Sequence, residues 1–307
     1  MAPDFSLLEL RLVDTPPFPV ENPQLLWDCA CNTPESKAKP SRCPIHRHPL
    51  ANDVTAAFKN GPVEIRWRDV RVRWRNEREL WPPSVDSFAF MQDLEGEGVF
   101  QSDCRNILDL GSGTGFLGIA LAKLNPNVDR LTLADWLLTP ALFGAVNWGL
   151  NKKGRERVDL SLRIGMFSDW LIEEPSASLE DVALCNPPYL PLLPGFEQFG
   201  IHTVVAGTDL LSHVIENAAS LGRRVYVQFS HLAKKDADET AITNKMTLVA
   251  LKSTPRMVPF RVRRAWTEMP DYFQALKEMN DGLITKPRAR HPYWHLIQTY
   301  EVKAQLR

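Results

Sequence analysis

The sequence lacks the features that mark membrane proteins and disulfide-rich proteins. No stretch approaches the roughly 18 consecutive apolar residues that a membrane span needs. The segment from Met1 to Thr15 has no basic region followed by an apolar core, so it does not look like a signal peptide. Five cysteines in 307 residues are too few and too scattered for a disulfide framework. We therefore expect a soluble, cytoplasmic protein with reduced thiols and no membrane partner.

Neither sign of charge predominates in the composition. The formal net charge is -1, with 44% hydrophobic and 24% charged residues. This balance predicts no overall attraction to nucleic acid, although a local basic patch remains compatible with it. The length allows one large domain and an appendage.

Residues 1–62 have little periodicity and many prolines, which predicts an extended arm or irregular cap. This arm contains five possible zinc ligands, but their spacing is not that of a standard zinc finger or ribbon. A solvated loop is the favoured interpretation over a structural zinc site, so no metal is expected. The five residues are Cys29, Cys31, Cys43, His46 and His48.

Alternating apolar residues from Val63 to Trp74 predict a β-hairpin that turns near Asp69. The hairpin interleaves arginines, which form either a solvated face or a surface that attracts phosphate groups. They are Arg66, Arg68, Arg71 and Arg73. A proline-rich turn follows, in which Ser84 or Asp86 could cap the next helix.

The stretch from Asn106 to Gly115 has the pattern of a buried strand that breaks into a glycine turn and opens a helix. Glycines at 111, 113 and 115 let the backbone turn sharply and approach a ligand closely. A helix from Phe116 to Leu124 follows. We expect a ligand at the carboxyl end of the strand, above the start of the helix.

Two ligand classes fit this turn. Residues 113–118 match the dinucleotide fingerprint G-x-G-x-x-G, with Asp135 at the spacing of a ribose-binding acid. The alternative is S-adenosylmethionine, because Asp109 lies two residues before the first glycine and a carboxylate suits a cationic ligand. The later motifs decide between the two classes.

Strands alternate with helices along the rest of the chain, which predicts an α/β fold with a parallel, doubly wound sheet. Residues 252–290 form an insertion between the last two predicted strands. The predicted strands are Asn106–Leu110, Arg130–Asp135, Val158–Ile164, Asp181–Cys185, Arg224–Phe229, Met246–Leu251 and Trp294–Val302.

The sequence Asn186-Pro187-Pro188-Tyr189 directly follows the fourth of these strands. Its two prolines fix the backbone, so carbonyls and the Asn186 amide project rigidly from the strand end. The Asn186 side-chain oxygen and the Pro187 carbonyl could accept both hydrogens of a planar NH₂ group, while Tyr189 stacks on its flat face. A rigid turn is the alternative, but the position after an S-adenosylmethionine-type glycine turn favours methyl transfer to nitrogen.

With these motifs, the sequence resembles the class I S-adenosylmethionine-dependent methyltransferases, and among them the HemK/PrmC group. The resemblance covers about residues 63–302 and implies a Rossmann-like doubly wound sheet of seven strands whose last strand is antiparallel. It implies an N-terminal extension over residues 1–100 and a methyltransferase domain over 101–307. By the same resemblance, Gly111, Ser112, Gly113 and Gly115 line the methionine portion of the cofactor beside Asp109.

The resemblance also assigns roles outside the glycine turn. Asp135 is placed at the ribose hydroxyls, with a helix cap as the alternative role of its carboxylate, and Trp136 is assigned to the cofactor. Asp169 is placed near the adenine, although Met166-Phe167 offers another register for this match. Asn186 to Tyr189 are implied to be the catalytic N-P-P-Y motif. Asp86, in a segment similar to P-S/R-x-D-T, is implied to orient the cofactor or the substrate. Leu210 replaces a glycine of the motif A-G-x-D-G-L.

The resemblance implies a protein glutamine side chain as the methyl acceptor. The alternatives are an exocyclic amine of a nucleic-acid base, such as adenine flipped from its stack, and a small-molecule amine. The N-terminal arm and the insertion depart from the family and should shape substrate entry, so the acceptor of this chain can differ from that of the family. The arginine stripes favour a nucleic-acid acceptor, whereas the net charge of -1 does not. An activator subunit, which some family members use, has no specific signal here.

Overall fold

A computed structural model describes residues 8–12, 63–74, 80, 83, 85–165, 180–196, 208–251, 255–260, 269–286 and 293–305. The possible zinc ligands of the arm and Asp169 lie outside these ranges. The helices are α1 Val85–Gly96, α2 Phe116–Leu124, α3 Leu138–Asn151, α4 Asp209–Glu216, α5 Ala218–Leu221, α6 Lys234–Thr243 and α7 Pro270–Glu278. Among the residues described, no helix is long and apolar enough to cross a membrane.

The strands are β1 Leu8–Leu12, β2 Val63–Trp67, β3 Val70–Trp74, β4 Asn106–Leu110, β5 Arg130–Asp135, β6 Asp159–Ile164, β7 Glu180–Cys185, β8 Gly222–Ser230, β9 Met246–Ala250, β10 Arg256–Pro259, β11 Ile284–Thr285 and β12 Tyr293–Ala304. The main sheet has the order β6-β5-β4-β7-β8-β12, and β9 pairs with the outer edge of β12. Strands β4 to β8 pair in parallel, whereas β12 is antiparallel to β8. The prediction of a doubly wound sheet with an antiparallel last strand is confirmed.

A second, three-stranded sheet contains the predicted hairpin β2–β3 and one strand from the N-terminal arm. Strand β1 pairs antiparallel to β2, with Leu8 opposite Trp67 and Leu12 opposite Val63. The irregular arm expected from the prolines therefore includes one regular strand. The five residues of β1 precede the proline-rich run, so each of them can pair with β2.

Two buried asparagine side chains of α3 form hydrogen bonds with the backbone groups on the free edge of β3. The Asn147 amide accepts from Arg73 N at 2.7 Å and donates to Arg73 O at 3.0 Å. One turn on, Asn151 makes the same pair of bonds to the backbone of Arg71, at 2.8 and 2.6 Å. Asn147 also donates to Thr114 O at 2.9 Å. These amides act as a partner strand and join the hairpin to the glycine turn.

The hairpin shares its hydrophobic core with the main sheet. Trp67, Phe88 and Phe116 pack edge to face or tilted, with ring centroids 4.9 to 6.5 Å apart. They come from β2, α1 and the first position of α2, and all three side chains are buried. This packing holds α1 against the start of the helix that follows the glycine turn.

The insertion at 252–290 contains β10, α7 and β11, none of which was predicted. We call these elements the cap. Its buried core, which includes Phe260, Tyr272 and Leu276, also contains Leu190, the residue directly after the N-P-P-Y motif. The Tyr272 hydroxyl donates to Pro191 O at 2.8 Å. The cap therefore packs on the segment that leaves the predicted catalytic motif.

Candidate active site

The glycine turn joins β4 to α2 with three glycines in the left-handed region. Gly111, Gly113 and Gly115 have φ angles of 64°, 53° and 78°, which side chains disfavour. The turn is tied to the neighbouring strand, because Ser112 N donates to Ala134 O at 3.0 Å. The turn thus lies at the carboxyl ends of β4 and β5, where the sequence predicts a ligand.

Asp109, two residues before the first glycine, is bonded to the helix that follows the turn. Its side chain is buried, and Oδ2 accepts from Gly118 N in α2 at 2.8 Å. A Cβ atom at Gly118 would lie 2.9 Å from Asp109 Cβ, so the helix and the strand meet as closely as glycine permits. Burial raises the pKa of Asp109 to about 8. Asp109 therefore holds β4 to α2.

Asp135 ends β5 and is bonded to the glycine turn. Its Oδ2 accepts from Gly113 N at 3.0 Å, and its Oδ1 accepts from Leu137 N at 3.3 Å. Burial raises the pKa of Asp135 to about 6, against the hydrogen bonds from these amides. Trp136 follows at the same strand end and is half-buried. The structure therefore brings Asp135 beside Gly113, and Trp136 is the next residue of the chain.

Asn186 follows β7, the strand that pairs with β4. Leu110 is opposite Cys185 in this pair, so Gly111 and Asn186 leave adjacent strand ends together. The Asn186 side-chain oxygen is buried and has no hydrogen-bond partner among the described residues. The Ser112 hydroxyl, in the glycine turn, is also buried and has no hydrogen-bond partner among the described residues. Buried polar atoms without partners are unfavourable, so both atoms favour a site for a ligand with donor groups.

Tyr189 and Asp86 meet although 103 residues separate them. The Tyr189 hydroxyl donates a hydrogen bond to Asp86 Oδ2. Burial, together with the adjacent Asp86 carboxylate, raises the pKa of Tyr189 well above its usual value. Pro187 is buried and Pro188 exposed between Asn186 and Tyr189. The predicted substrate residues therefore form one contact at the end of β7.

Sequence reasoning missed two buried polar side chains near this contact. Gln228, in β8, lies against the first turn of α1. His295, in β12, has its ring centroid 5.8 Å from that of Tyr189 and its Nδ1 2.8 Å from Ser230 Oγ. Burial lowers the pKa of His295 to about 3, so its imidazole is neutral. The available signal for Gln228 was a single amide within the apolar strand Val225–Phe229.

Leu210, which departs from the family motif, lies over the glycine turn. Its Cδ2 is 3.2 Å from where a Cβ atom at Gly111 would stand. Leu210 lies in the first turn of α4, and its side chain packs on the core of the sheet. A leucine side chain therefore covers the turn at the position where the motif A-G-x-D-G-L has glycine.

The hairpin arginines are largely paired with carboxylates. Arg71 and Arg73 lie 2.9 and 3.2 Å from Glu64, which is buried on the neighbouring strand. Arg68 pairs with Glu95 of α1 at 2.5 Å. This pairing neutralises most of the stripe and favours its interpretation as a structural face over a phosphate-binding surface.

Part of the chain is similar to known methyltransferases. A family model described as lysine methyltransferase matches residues 72–145. Ribosomal RNA large subunit methyltransferase G of Ectopseudomonas mendocina (strain ymp) is 39% identical over 87 residues, 28% of this chain and 21% of that protein. The same-named protein of Shewanella sp. (strain ANA-3) is 34% identical over 89 residues, 29% and 22% of the two chains. The chain spans about a fifth of the length of these relatives.

Among solved structures, similar ones share little sequence with the chain. A ribosomal protein L11 methylase from Lactobacillus delbrueckii subsp. bulgaricus has a TM-score of 0.41 and 13% identity, covering 72% of this chain and 79% of that one. Magnesium protoporphyrin IX methyltransferase from Synechocystis PCC 6803 with bound SAM has a TM-score of 0.39 and 14% identity, covering 71% and 81%.

The order of the strands decides the class of fold. When the short cap strands β10 and β11 are left out and the others are numbered from β4, the order is 3-2-1-4-5-7-6, in which the seventh strand is β12 and is antiparallel to β8. The chain has the fold of a class I methyltransferase. The methyltransferase match at residues 72–145 includes the glycine turn. The dinucleotide alternative is thereby disfavoured, because the cofactor of class I methyltransferases is S-adenosylmethionine.

Proposed function

We propose that this protein is an S-adenosylmethionine-dependent N-methyltransferase that acts on an exocyclic amine of an RNA base. The observation that carries the proposal is the Asn186 side-chain oxygen, which is buried and unpaired beside the glycine turn. An oxygen in this condition is suited to accept a hydrogen bond from an incoming NH₂ group.

The residues of the turn fit the proposed cofactor. The backbone of Gly111 to Gly115 approaches closely because it lacks side chains, and the unpaired Ser112 hydroxyl can bond a polar group of the methionine portion. Asp135 stands at the adjacent strand end, where its carboxylate can accept hydrogen bonds from ribose hydroxyls. Bound there, the cofactor would supply an electrophilic methyl group on its sulfonium.

The chain's residues then position the acceptor nitrogen. Asn186 Oδ1 and the Pro187 carbonyl accept its two hydrogens, so its lone pair points along the line of the methyl group. Asn186 and Pro187 would hold the nitrogen in this position while the cofactor gives up its methyl group, so that the new carbon–nitrogen bond would replace the carbon–sulfur bond of the sulfonium. The nitrogen becomes acidic at that stage and releases a proton to solvent, so no strong base is needed beforehand. The Tyr189 ring offers its face to the planar base.

The proposal favours RNA over the protein glutamine implied by the family resemblance. Both sequence relatives described above are named as ribosomal RNA methyltransferases. The segment 252–292, which includes the cap, carries nine lysines and arginines against four acidic residues in a chain of net charge -1. A local excess of positive charge attracts the phosphate backbone of RNA. The resemblance to the HemK/PrmC group stays a prediction.

Protein glutamine remains the second candidate because a carboxamide is also a planar NH₂ group. The same Asn186 oxygen would accept its hydrogen, so the motif by itself does not choose between the two acceptors. The buried cap core directly after Tyr189 restricts the room beside the motif, and this restriction applies to both.

The test is to incubate the purified protein with methyl-labelled S-adenosylmethionine and separate RNA and protein fractions of a cell extract. We expect label in RNA that ribonuclease releases and nucleoside analysis assigns to an exocyclic nitrogen. Label confined to protein would overturn the RNA proposal in favour of glutamine. Label on ribose or on a ring carbon would overturn the role of Asn186.

A matched pair of variants tests the motif itself. We expect Asn186→Ala to lower methyl transfer at least about 100-fold while cofactor affinity stays nearly unchanged, because the lost bond aligns the acceptor. Asn244→Ala, beyond the end of α6, is the control and should retain transfer. Full activity of Asn186→Ala would contradict the proposed mechanism.

A further inference from the structure

The position of Asp86 depends on the first turn of α1, whose backbone is contacted by a side chain from the sheet. Asp86 is the second residue of this helix and accepts the Tyr189 hydroxyl bond. In a regular helix, Asp86 O would be joined to Phe90 N. A side chain that contacts both atoms can therefore set where Asp86 stands.

Gln228 contacts both of these backbone atoms. With its amide oriented to satisfy its neighbours, its nitrogen lies 2.6 Å from Asp86 O and its oxygen lies 3.1 Å from Phe90 N. The side chain is completely buried on β8. It thus bridges the helical hydrogen-bond site from outside, with a donor at one end and an acceptor at the other.

The same helix is anchored to the sheet two turns later. Thr299, opposite Gln228 on β12, donates to Asp93 Oδ2 at 2.6 Å. Arg256 of the cap lies 2.5 Å from Asp93 Oδ1. The Thr299 hydroxyl also lies 3.0 Å from the Gln228 amide oxygen. The bonds from Thr299 and Arg256 to Asp93 do not require the Gln228 side chain, so loss of the Gln228 bridge should move the first turn while leaving the body of α1 in place.

We propose that Gln228 is a positioning residue that holds the first turn of α1 so that Asp86 orients Tyr189 of the N-P-P-Y motif. Gln228 acts through Asp86 and does not touch the acceptor. Its amide is suited to this role because only an amide offers a donor and an acceptor at this spacing without charge. The inference rests on the proposed function only where it predicts a slower methyl transfer; the structural role of Gln228 does not depend on it.

Gln228→Met removes the hydrogen bonds to Asp86 O and Phe90 N, together with the contact to Thr299 Oγ1, and keeps a similar volume. We expect hydrogen exchange in a peptide covering residues 85–96 to become at least about 10-fold faster, with the circular dichroism spectrum and cofactor affinity unchanged. Single-turnover transfer to the acceptor that the wild type labels should fall about 10- to 100-fold. Val225→Ala, on the opposite face of the same strand, is the control and should show neither change.

Gln228→Glu distinguishes positioning from a general loss of packing. A protonated glutamic acid can donate to Asp86 O and accept from Phe90 N, whereas the ionised form cannot donate. Transfer by this variant relative to wild type should therefore recover as pH falls, and exchange of residues 85–96 should slow in parallel.

The exchange measurement needs no acceptor, so it separates this proposal from the proposed function. Wild-type exchange rates in Gln228→Met would overturn the positioning role, as would wild-type transfer rates in that variant. Absence of RNA methylation by the wild-type protein, with faster exchange in the variant, would overturn only the proposed acceptor.

Discussion

At the scale of single residues, the burial of Asp109 makes the stability of the folded state depend on pH. Burial raises the pKa of the Asp109 carboxyl to about 8 in the native state, against its ordinary value of 3.8 in the unfolded chain. The folded state therefore binds more protons than the unfolded state in this window. By linkage, this contribution to stability is fully present below about pH 4 and is lost as pH rises toward 8. Asp135, whose pKa is about 6, contributes with the same sign over a narrower window.

Asp109→Asn should remove the larger of these two contributions. The amide oxygen can still accept from Gly118 N, so the variant should fold. Its free energy of unfolding relative to wild type should rise with pH between 5 and 8, by at most about 1.4 kcal/mol per pH unit. Urea unfolding at several pH values measures the difference. A difference that does not change with pH would mean that native Asp109 is already ionised.

At the scale of elements, the asparagines of α3 explain how the hairpin is attached. Asn147 satisfies Arg73 N, Arg73 O and Thr114 O from within the core. Asn147→Leu would leave these backbone groups buried without partners. We expect a loss of about 2–4 kcal/mol in unfolding free energy and a weaker cofactor affinity, because Thr114 belongs to the glycine turn. Calorimetry and cofactor titration measure both effects, and Asn127→Ala at the other end of the sheet is a comparison that should leave cofactor affinity unchanged.

The contact between α3 and β5 gives a matched pair of glycine variants. A Cβ atom at Gly144 would lie 2.7 Å from Leu133 Cδ1, whereas one at Gly149 meets nothing within 4 Å. We expect Gly144→Ala to destabilise the protein by about 1–3 kcal/mol through overpacking. Gly149→Ala should stabilise it by about 0.5–1 kcal/mol, since alanine favours the helix. Thermal unfolding decides, and equal effects of the two variants would show that the helix is free to shift away from the strand.

At the scale of the whole molecule, the proposed RNA acceptor depends on where positive charge lies. Replacing Arg261, Arg263 and Arg264 of the insertion by glutamine should weaken RNA binding and reduce its salt dependence by about two to three counterions. The control is a triple glutamine variant of Arg105, Arg157 and Arg223, which are exposed near the amino ends of the parallel strands, away from the glycine turn. Filter binding at several salt concentrations measures both slopes. If the two triple variants behaved alike, the insertion would not be the docking surface.

Much of the fold was predictable because its signals are local. The glycine turn, the N-P-P-Y motif and the strands around them lie within consecutive residues whose period and turn chemistry are sufficient. The helix Phe116–Leu124 and the strands Asn106–Leu110 and Arg130–Asp135 have the predicted bounds. The cap was not predicted, since its short strands pair with β12 and carry little periodicity of their own.

The sequence by itself determined the class of fold and the two strand ends where the predicted site residues lie. The reason is that the carboxyl ends of parallel strands, and the loops that follow them, lie at the same edge of the sheet. Only the tertiary structure decided what those residues touch. It buries Asp109 against Gly118, pairs the hairpin arginines with Glu64 and Glu95, and joins Tyr189 to Asp86. The physical reason is that a buried polar group needs a hydrogen-bond partner, and folding can supply one from a distant part of the sequence. The partner of the Tyr189 hydroxyl is 103 residues away.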